Sequence, residues 1–283
     1  MISAENVSYT YTPGGAFEKA AVCRVSFSVE AGSFCGIIGQ TGSGKTTLMQ
    51  LLAGLEKPTE GRVCVDGLDV ADKKNRAALK GKIGLVFQYP EYQLFGETVM
   101  EDVMFGPLNL GFSEEDAKKK AIQALAAVDI GEDFYAASPF TLSGGQKRRV
   151  AIAGVLAMEP KILILDEPTA GLDPRGRDAL MQCISSIQKT KGMTVLWVSH
   201  SMEEIARLVD RILVMSHGEL VMDGAPAAVF CEGNQLREMG LDVPEITRIV
   251  EKLRARGLEI PASIYTVEEA CRAILALKEG NPC

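Results

Sequence analysis

The stretch Gly39-Gln-Thr-Gly-Ser-Gly-Lys-Thr46 restricts the possible folds of this chain more than any other. Its glycines fit a phosphate-binding loop, in which backbone N–H groups approach and encircle phosphate oxygens. Such a loop needs a buried strand before it and a helix after it. Phe34-Cys-Gly-Ile-Ile38 is a short continuous apolar run, as expected for a central strand covered on both faces. Thr47-Leu-Met-Gln-Leu-Leu52 follows as the start of a helix, whose positive N-terminus would face the phosphates. Lys45 adds a point charge for the outer phosphates and Thr46 a hydroxyl for Mg²⁺. In a chain of average composition, with Gly at about 7%, the bare pattern arises by chance at roughly the 1% level, so its strand and helix context decides the reading.

Other segments repeat the buried-strand character: Ile83-Gly-Leu-Val-Phe87, Ile162-Leu-Ile-Leu165 and Thr194-Val-Leu-Trp-Val198. Val25, Phe27 and Val29 alternate with serines, the period of a half-buried strand. Val7 to Tyr11 and Arg62 to Val65 are similar, the latter running into the turn Asp66-Gly67. Helical patterns lie between the strands; one starts at Ser113, with Asp116 three residues on as a capping box. Buried strands separated by helices predict an α/β domain with a mainly parallel sheet. After residue 240 the pattern turns helical, with Ile246, Ile249, Val250 and Leu253 at helical spacing and Thr266-Val-Glu-Glu269 capping a last helix. At 283 residues, the chain reads as one large core plus a small helical tail.

Composition excludes several roles. The 30 basic and 37 acidic residues leave a net charge of −7, which argues against a dedicated nucleic-acid binder. The longest uncharged stretches, residues 31–44 and 134–146, are rich in Gly, Ser and Thr and fall short of the roughly 20 apolar residues of a spanning helix. No basic n-region and apolar run open the chain, so a soluble, cytosolic protein is expected. Seven scattered cysteines (Cys23, Cys35, Cys64, Cys183, Cys231, Cys271 and Cys283) include no C-x-x-C pair, and are expected as small buried apolar side chains.

Two further motifs bear on chemistry. Lys161-Ile-Leu-Ile-Leu-Asp-Glu167 is an apolar strand ending in two carboxylates. Asp166 suits Mg²⁺, and Glu167, pointing elsewhere, suits polarisation of an attacking water. Leu142-Ser-Gly-Gly-Gln146 opens a helix, giving a second anion site in the same chain. Either motif alone is weak, since acidic strand ends and serine caps are common. Their order after the phosphate loop resembles the ATP-binding cassette (ABC) ATPases.

That resemblance covers residues 1 to 240 and implies the P-loop NTPase fold of ABC type. Its parts are a mainly parallel core sheet, an antiparallel β subdomain and a helical subdomain over about residues 89–160, with 241–283 as a C-terminal extension. Nucleotide would be held by Gly39, Gln40, Thr41, Gly42, Ser43, Gly44, Lys45, Thr46 and Thr47, with Tyr11 against adenine and Tyr9 a close competitor. Gln88 resembles the Q-loop glutamine, Asp173 lies in the D-loop pattern, and His200 resembles the switch histidine. His217 reads as a turn residue. Catalysis would then rest on Glu167, His200, Gln88 and Lys45, and Mg²⁺ accompanying ATP on Thr46, Gln88 and Asp166. Leu142, Ser143, Gly144, Gly145 and Gln146 would touch ATP bound to a partner, because the family sandwiches two nucleotides head to tail.

The segment Gln88-Tyr-Pro-Glu-Tyr-Gln-Leu-Phe95 narrows the resemblance to the ATPases of energy-coupling factor (ECF) transporters, and Gly39-Gln-Thr-Gly-Ser-Gly-Lys45 looks most like the second of their two A subunits. Lys147 departs from the methionine of many relatives, and Thr46 from the commoner serine while keeping the hydroxyl. The resemblance implies a second ATPase subunit (a related one favoured, an identical one possible) and a transmembrane T subunit docking coupling helices near residues 87–107. It also implies a substrate-binding S subunit, uptake of vitamins or transition-metal ions, a peripheral place on the cytoplasmic face of the membrane, and no nucleic acid. The alternatives are an ABC-type ATPase acting in DNA repair or translation, or a non-transport assembly ATPase. The tail would reinforce a dimer through Ile246, Ile249 and Leu253, or pack on its own core.

Overall fold

A computed structural model describes residues 1–15 and 17–279. The expected Cys283 and the last residues of the tail lie outside them. Ten strands form two sheets among the described residues: β1 (Ile2–Tyr11), β2 (Lys19–Val29), β3 (Phe34–Gly39), β4 (Glu60–Val65), β5 (Leu68–Asp69), β6 (Ile83–Val86), β7 (Ile162–Asp166), β8 (Thr194–Val198), β9 (Arg211–Ser216) and β10 (Glu219–Gly224). The larger sheet runs β10-β9-β3-β8-β7-β6. All its neighbouring pairs are parallel except β9 and β10, which form an antiparallel hairpin turning at His217. The smaller sheet, β2-β1-β4-β5, is antiparallel.

The difference between the sheets follows from their sequences. β3, β7 and β8 are buried at every residue, so both faces are covered, as parallel strands require. In β2 the valines and Phe27 face inward while Arg24, Ser26 and Ser28 face solvent. The helix Lys45–Leu52 buries Leu48, Met49, Leu51 and Leu52 in the core that joins the two sheets. On the opposite face of the large sheet, the helix Pro174–Lys191 and the helices Val99–Asn109, Glu114–Ala127 and Gly144–Leu156 build a second core. Ser113 caps the second of these three by accepting from the Asp116 N–H.

The tail packs on its own chain. Helices Glu245–Ala255 and Val267–Glu279 bury Val250 and Ala270 with Ile260 and Ile264, and Ile246, Leu253 and Leu277 lie against them. Val243 and Tyr265 carry this unit onto the main core, where Tyr265 lies 5.9 Å from the Phe230 ring. Of the three expected dimer contacts, Ile246 and Leu253 are used within the tail and only Ile249 faces solvent.

The cysteine expectation needs correction. Cys35 and Cys64 are buried, Cys23 and Cys183 are half-buried, and Cys231 and Cys271 are exposed. The last two stand on the outer sides of the helices Pro226–Cys231 and Val267–Glu279. Leu163, fully buried in β7, provides a test of the core. Leu163→Ala should lower the unfolding free energy by about 2–5 kcal/mol, read as a lower urea midpoint at unchanged slope.

Candidate nucleotide site

Four adjacent parallel strands deliver the candidate residues to one edge of the large sheet. The phosphate loop leaves β3, Gln88 follows β6, Asp166 and Glu167 end β7, and His200 follows β8. The carboxyl ends of parallel strands are where open α/β sheets place ligands. A cleft of about 910 Å³ opens there, lined by the loop, Tyr11, Gln88, Asp166, Glu167 and His200.

The loop geometry depends on its glycines. Gly42 and Gly44 have φ of 82° and 99°, and a side chain on Gly44 would collide with the Ala21 carbonyl. Gly44 caps the helix Lys45–Leu52 in this left-handed conformation. Ser43 is buried, and its hydroxyl has no hydrogen-bond partner. An orphaned buried hydroxyl inside a glycine-rich loop fits an anionic guest that would engage it. Lys45 is also buried, its Nζ donating to Gly39 O at 2.6 Å and Gln40 O at 2.9 Å. Burial lowers its pKa, opposed by the carboxylates of Glu167 and Asp166.

Thr46 donates its hydroxyl to Asp166 Oδ2 at 3.4 Å. Together with the Gln88 amide they offer the hard oxygen donors that Mg²⁺ prefers. Glu167 follows with φ of 45°, a left-handed conformation uncommon for a residue with a side chain. Its two oxygens lie 3.0 Å from Gln88 Nε2 and 3.2 Å from His200 Nδ1. The backbone turn separates the roles of two consecutive carboxylates: Asp166 faces Thr46 and Glu167 faces Gln88 and His200.

At the other wall, the Tyr11 hydroxyl pairs with Thr47 Oγ1 at 3.0 Å and its ring is part-exposed at the cleft. Tyr9 packs edge-on against it at 4.9 Å but donates its hydroxyl to Glu56, which pushes the Tyr9 pKa up to about 12. Tyr9 does not line the cleft.

Ser143, Gly144, Gly145 and Gln146 are not part of this cleft. Ser143 caps the helix Gly144–Leu156 in a reciprocal box with Gln146, and added side chains at Gly144 or Gly145 would meet open space. Leu142 anchors the loop in the core. Asp173 caps the helix Pro174–Lys191 by accepting from Gly176 N. A separate groove of about 640 Å³, lined by Met100, Met104, Phe105, Leu108 and Tyr135, lies on the helical subdomain. Phe95 and Tyr92 are exposed on the segment leading to it, while Val99 and Val103 are core, so that segment divides between packing and surface.

Sequence reasoning missed part of the cleft wall: Lys19, Ala21, Met202 and the run Gly240, Leu241, Asp242. Gly240 has φ of 66° and lies so close to Gln40 that a side chain there would strike the Gln40 amide. A glycine at the start of the tail was the only local signal.

Burial, then the neighbouring Glu167, pushes Asp166 up to about 6, against the Thr46 hydrogen bond and Lys45. A carboxyl raised in the folded chain contributes stability in its protonated form, present at low pH and lost as pH rises through about 6. With nucleotide and divalent ions removed, Asp166→Asn should therefore melt above the parent at pH 7, and with it near pH 4. Calorimetry across that range checks this; an equal gap at both ends would assign the effect to something other than ionisation.

The chain is similar to several known proteins over most of its length. A family model described as ABC transporter matches residues 22–170. The energy-coupling factor transporter ATP-binding protein EcfA2 of Caldanaerobacter subterraneus is 50% identical over 281 residues, covering 99% of this chain and 98% of that protein. EcfA2 of Clostridium perfringens is 49% identical over 282 residues, covering 99% of both. Among solved structures, CbiO1 from Clostridium perfringens, part of the ABC transporter complex CbiONQ, is 37% identical with a TM-score of 0.75, over 88% of this chain and 98% of that one. The ATP-binding cassette MJ0796, in a dimeric post-hydrolysis state bound to ADP and Pi, is 32% identical with a TM-score of 0.71, over 80% and 98%. The doubly covered parallel sheet, the glycine loop and the paired carboxylates thus sit on a chain that belongs to the ABC transporter ATPases, in their branch of energy-coupling factor ATP-binding subunits.

Proposed function

We propose that this chain binds and hydrolyses ATP as one of two ATPase subunits of an energy-coupling factor importer, with Glu167 activating the attacking water. The carrying observation is Glu167 itself, held between Gln88 and His200 at the mouth of the phosphate-loop cleft. A carboxylate so placed can take the water's proton as the γ-phosphate is attacked in line. Lys45 would turn from the loop carbonyls to the outer phosphates, and His200 would meet the γ-phosphate. Thr46, Asp166 and Gln88 would hold Mg²⁺, which neutralises charge on the phosphates. Tyr11 would stack on adenine.

Ser143 and Gly144 are exposed and Gly145 and Gln146 partly so, all outside the chain's own cleft, while Leu142 is buried beneath them. This supports a head-to-tail partner whose ATP is touched by Ser143 and Gly145, with the D-loop Asp173 near the same seam. A related but different ATPase fits the resemblance to the second A subunit. Among the described residues no helix is long and apolar enough to cross a membrane. The membrane part then belongs to other chains: a T subunit seating coupling helices on the helical-subdomain groove, and an S subunit that selects a vitamin or transition-metal ion. The chain itself would lie peripherally on the cytoplasmic face, with domain limits near 1–240 and 241–283.

Glu167→Gln should retain ATP binding and lose about 10²–10⁴-fold in turnover, leaving an ATP-trapped dimer visible by size-exclusion chromatography. Near-parental hydrolysis would remove Glu167 from the base role. Ser143→Arg should damage the partner's site more than its own. Mixed dimers carrying it in one subunit, paired with a phosphate-loop knockout in either subunit, separate the two, and greater loss at the variant's own site would refute the head-to-tail arrangement.

A further inference from the structure

Glu204 departs from the usual geometry of its own helix. Ser201 caps the helix Met202–Leu208 and accepts from the Glu204 N–H. A glutamate at this third helical position ordinarily reaches back to the cap's N–H. Here its side chain turns inward and is 3% exposed. One oxygen accepts from the Thr169 hydroxyl at 2.7 Å; the other accepts from the Ser199 hydroxyl at 2.9 Å and the Trp197 indole N–H at 3.4 Å. Arg177 Nε stands 3.7 Å away, too far for a hydrogen bond. A carboxylate removed from water is costly, and here three hydrogen bonds and one Arg177 ion pair at 3.7 Å offset that cost.

What it joins gives it a purpose. Ser199 immediately precedes His200, and its hydroxyl also accepts from the Ser201 N–H, which fixes the turn on which His200 rides. Thr169 lies two residues after Glu167, in the loop that leaves its left-handed φ. The His200 side chain is 70% exposed, so packing does not hold it; its placement comes through the backbone. Ser199 and Thr169 are themselves buried. One carboxylate therefore spans the two segments whose side chains meet at Glu167 and His200.

We propose that Glu204 is a positioning residue for ATP hydrolysis, tying the His200 turn to the loop after Glu167 and so setting their separation. This rests on Glu167 being the base, and it adds a residue that touches neither nucleotide nor water. Glutamine at 204 can satisfy the hydroxyls by letting them reverse, but its amide nitrogen cannot accept from the indole or face Arg177 favourably. Thr169→Val keeps the shape and removes one donor while leaving Glu204 in place.

The test uses the chain purified with its co-purifying subunits. Glu204→Gln and Thr169→Val are each expected to lower kcat for ATP about tenfold or more, with KM and the ATP-induced rise in melting temperature within about twofold of the parent. The double variant should lose no more than the worse single, because both act through one contact. Unchanged kcat in both singles, a matched rise in KM, or losses that multiply in the double variant would overturn the proposal. Should Glu204→Gln fail to fold, Thr169→Val with Ser199→Ala carries the same cycle. Glu167→Gln assayed alongside separates the two readings: active Glu167→Gln sinks the base assignment, whereas inactive Glu167→Gln with fully active Glu204→Gln sinks this inference alone.

Discussion

The Arg148 guanidinium is 2% exposed and ties together three segments around the site. It grips both oxygens of Glu91, at 2.8 and 3.0 Å, in the stretch after Gln88. It also donates to the carbonyls of Pro168 and Ala170, in the loop running from Glu167 to Asp173. The Tyr89 ring lies over it at 5.7 Å. Arg148 itself stands in the helix that Ser143 caps. A buried pair of this kind adds little net stability over an apolar substitute, but losing one partner leaves a stranded charge and costs about 3–5 kcal/mol. Its value lies in registration: the signature helix, the Gln88 segment and the approach to Asp173 are fixed to one another.

Around this joint the site gathers features that a chain selected only for stability would avoid. Glu167 sits in a left-handed conformation, Asp166 and Glu167 crowd two carboxylates together, and Lys45 is drawn out of water. The pKa directions are those of a site awaiting a highly charged guest: the acid is pushed up and the base down, each by burial first. Local strain and unfavourable charge of this sort persist only where surrounding packing enforces them. The fully buried strands β3, β7 and β8 supply that packing.

Much of this was legible in the sequence because it is local. The phosphate loop, the continuous apolar runs of β3, β7 and β8, and the caps at Ser113 and Thr266 depend on residues close in the chain. Gln88, Glu167 and His200 each stand at or just after a strand end, yet only the family resemblance singles out Gln88 and His200, and their meeting with Glu167 follows once those strands are neighbours. What escaped depends on long-range placement. Glu204 reads as an ordinary helix-start glutamate, and only its inward turn toward Thr169 and Ser199 makes it distinctive. Arg148 is one basic residue in a run of three. Tyr9 and Tyr11 are equivalent in a strand until Glu56 claims one of them. Leu241 and Asp242 carry no pattern that would place them beside the cleft.

Gly240 has a consequence for anyone exchanging parts between relatives of this chain. The chain at Gly240 is not a free linker, because its backbone takes the left-handed φ of 66° that favours glycine and lies against the Gln40 side chain. A graft that carries in an alanine or anything larger at this position would strain that backbone and displace the Gln40 side chain at the cleft. Swapped tails must bring their own glycine, and a truncation ending before residue 240 would remove one wall of the nucleotide cleft along with the helices it was meant to delete.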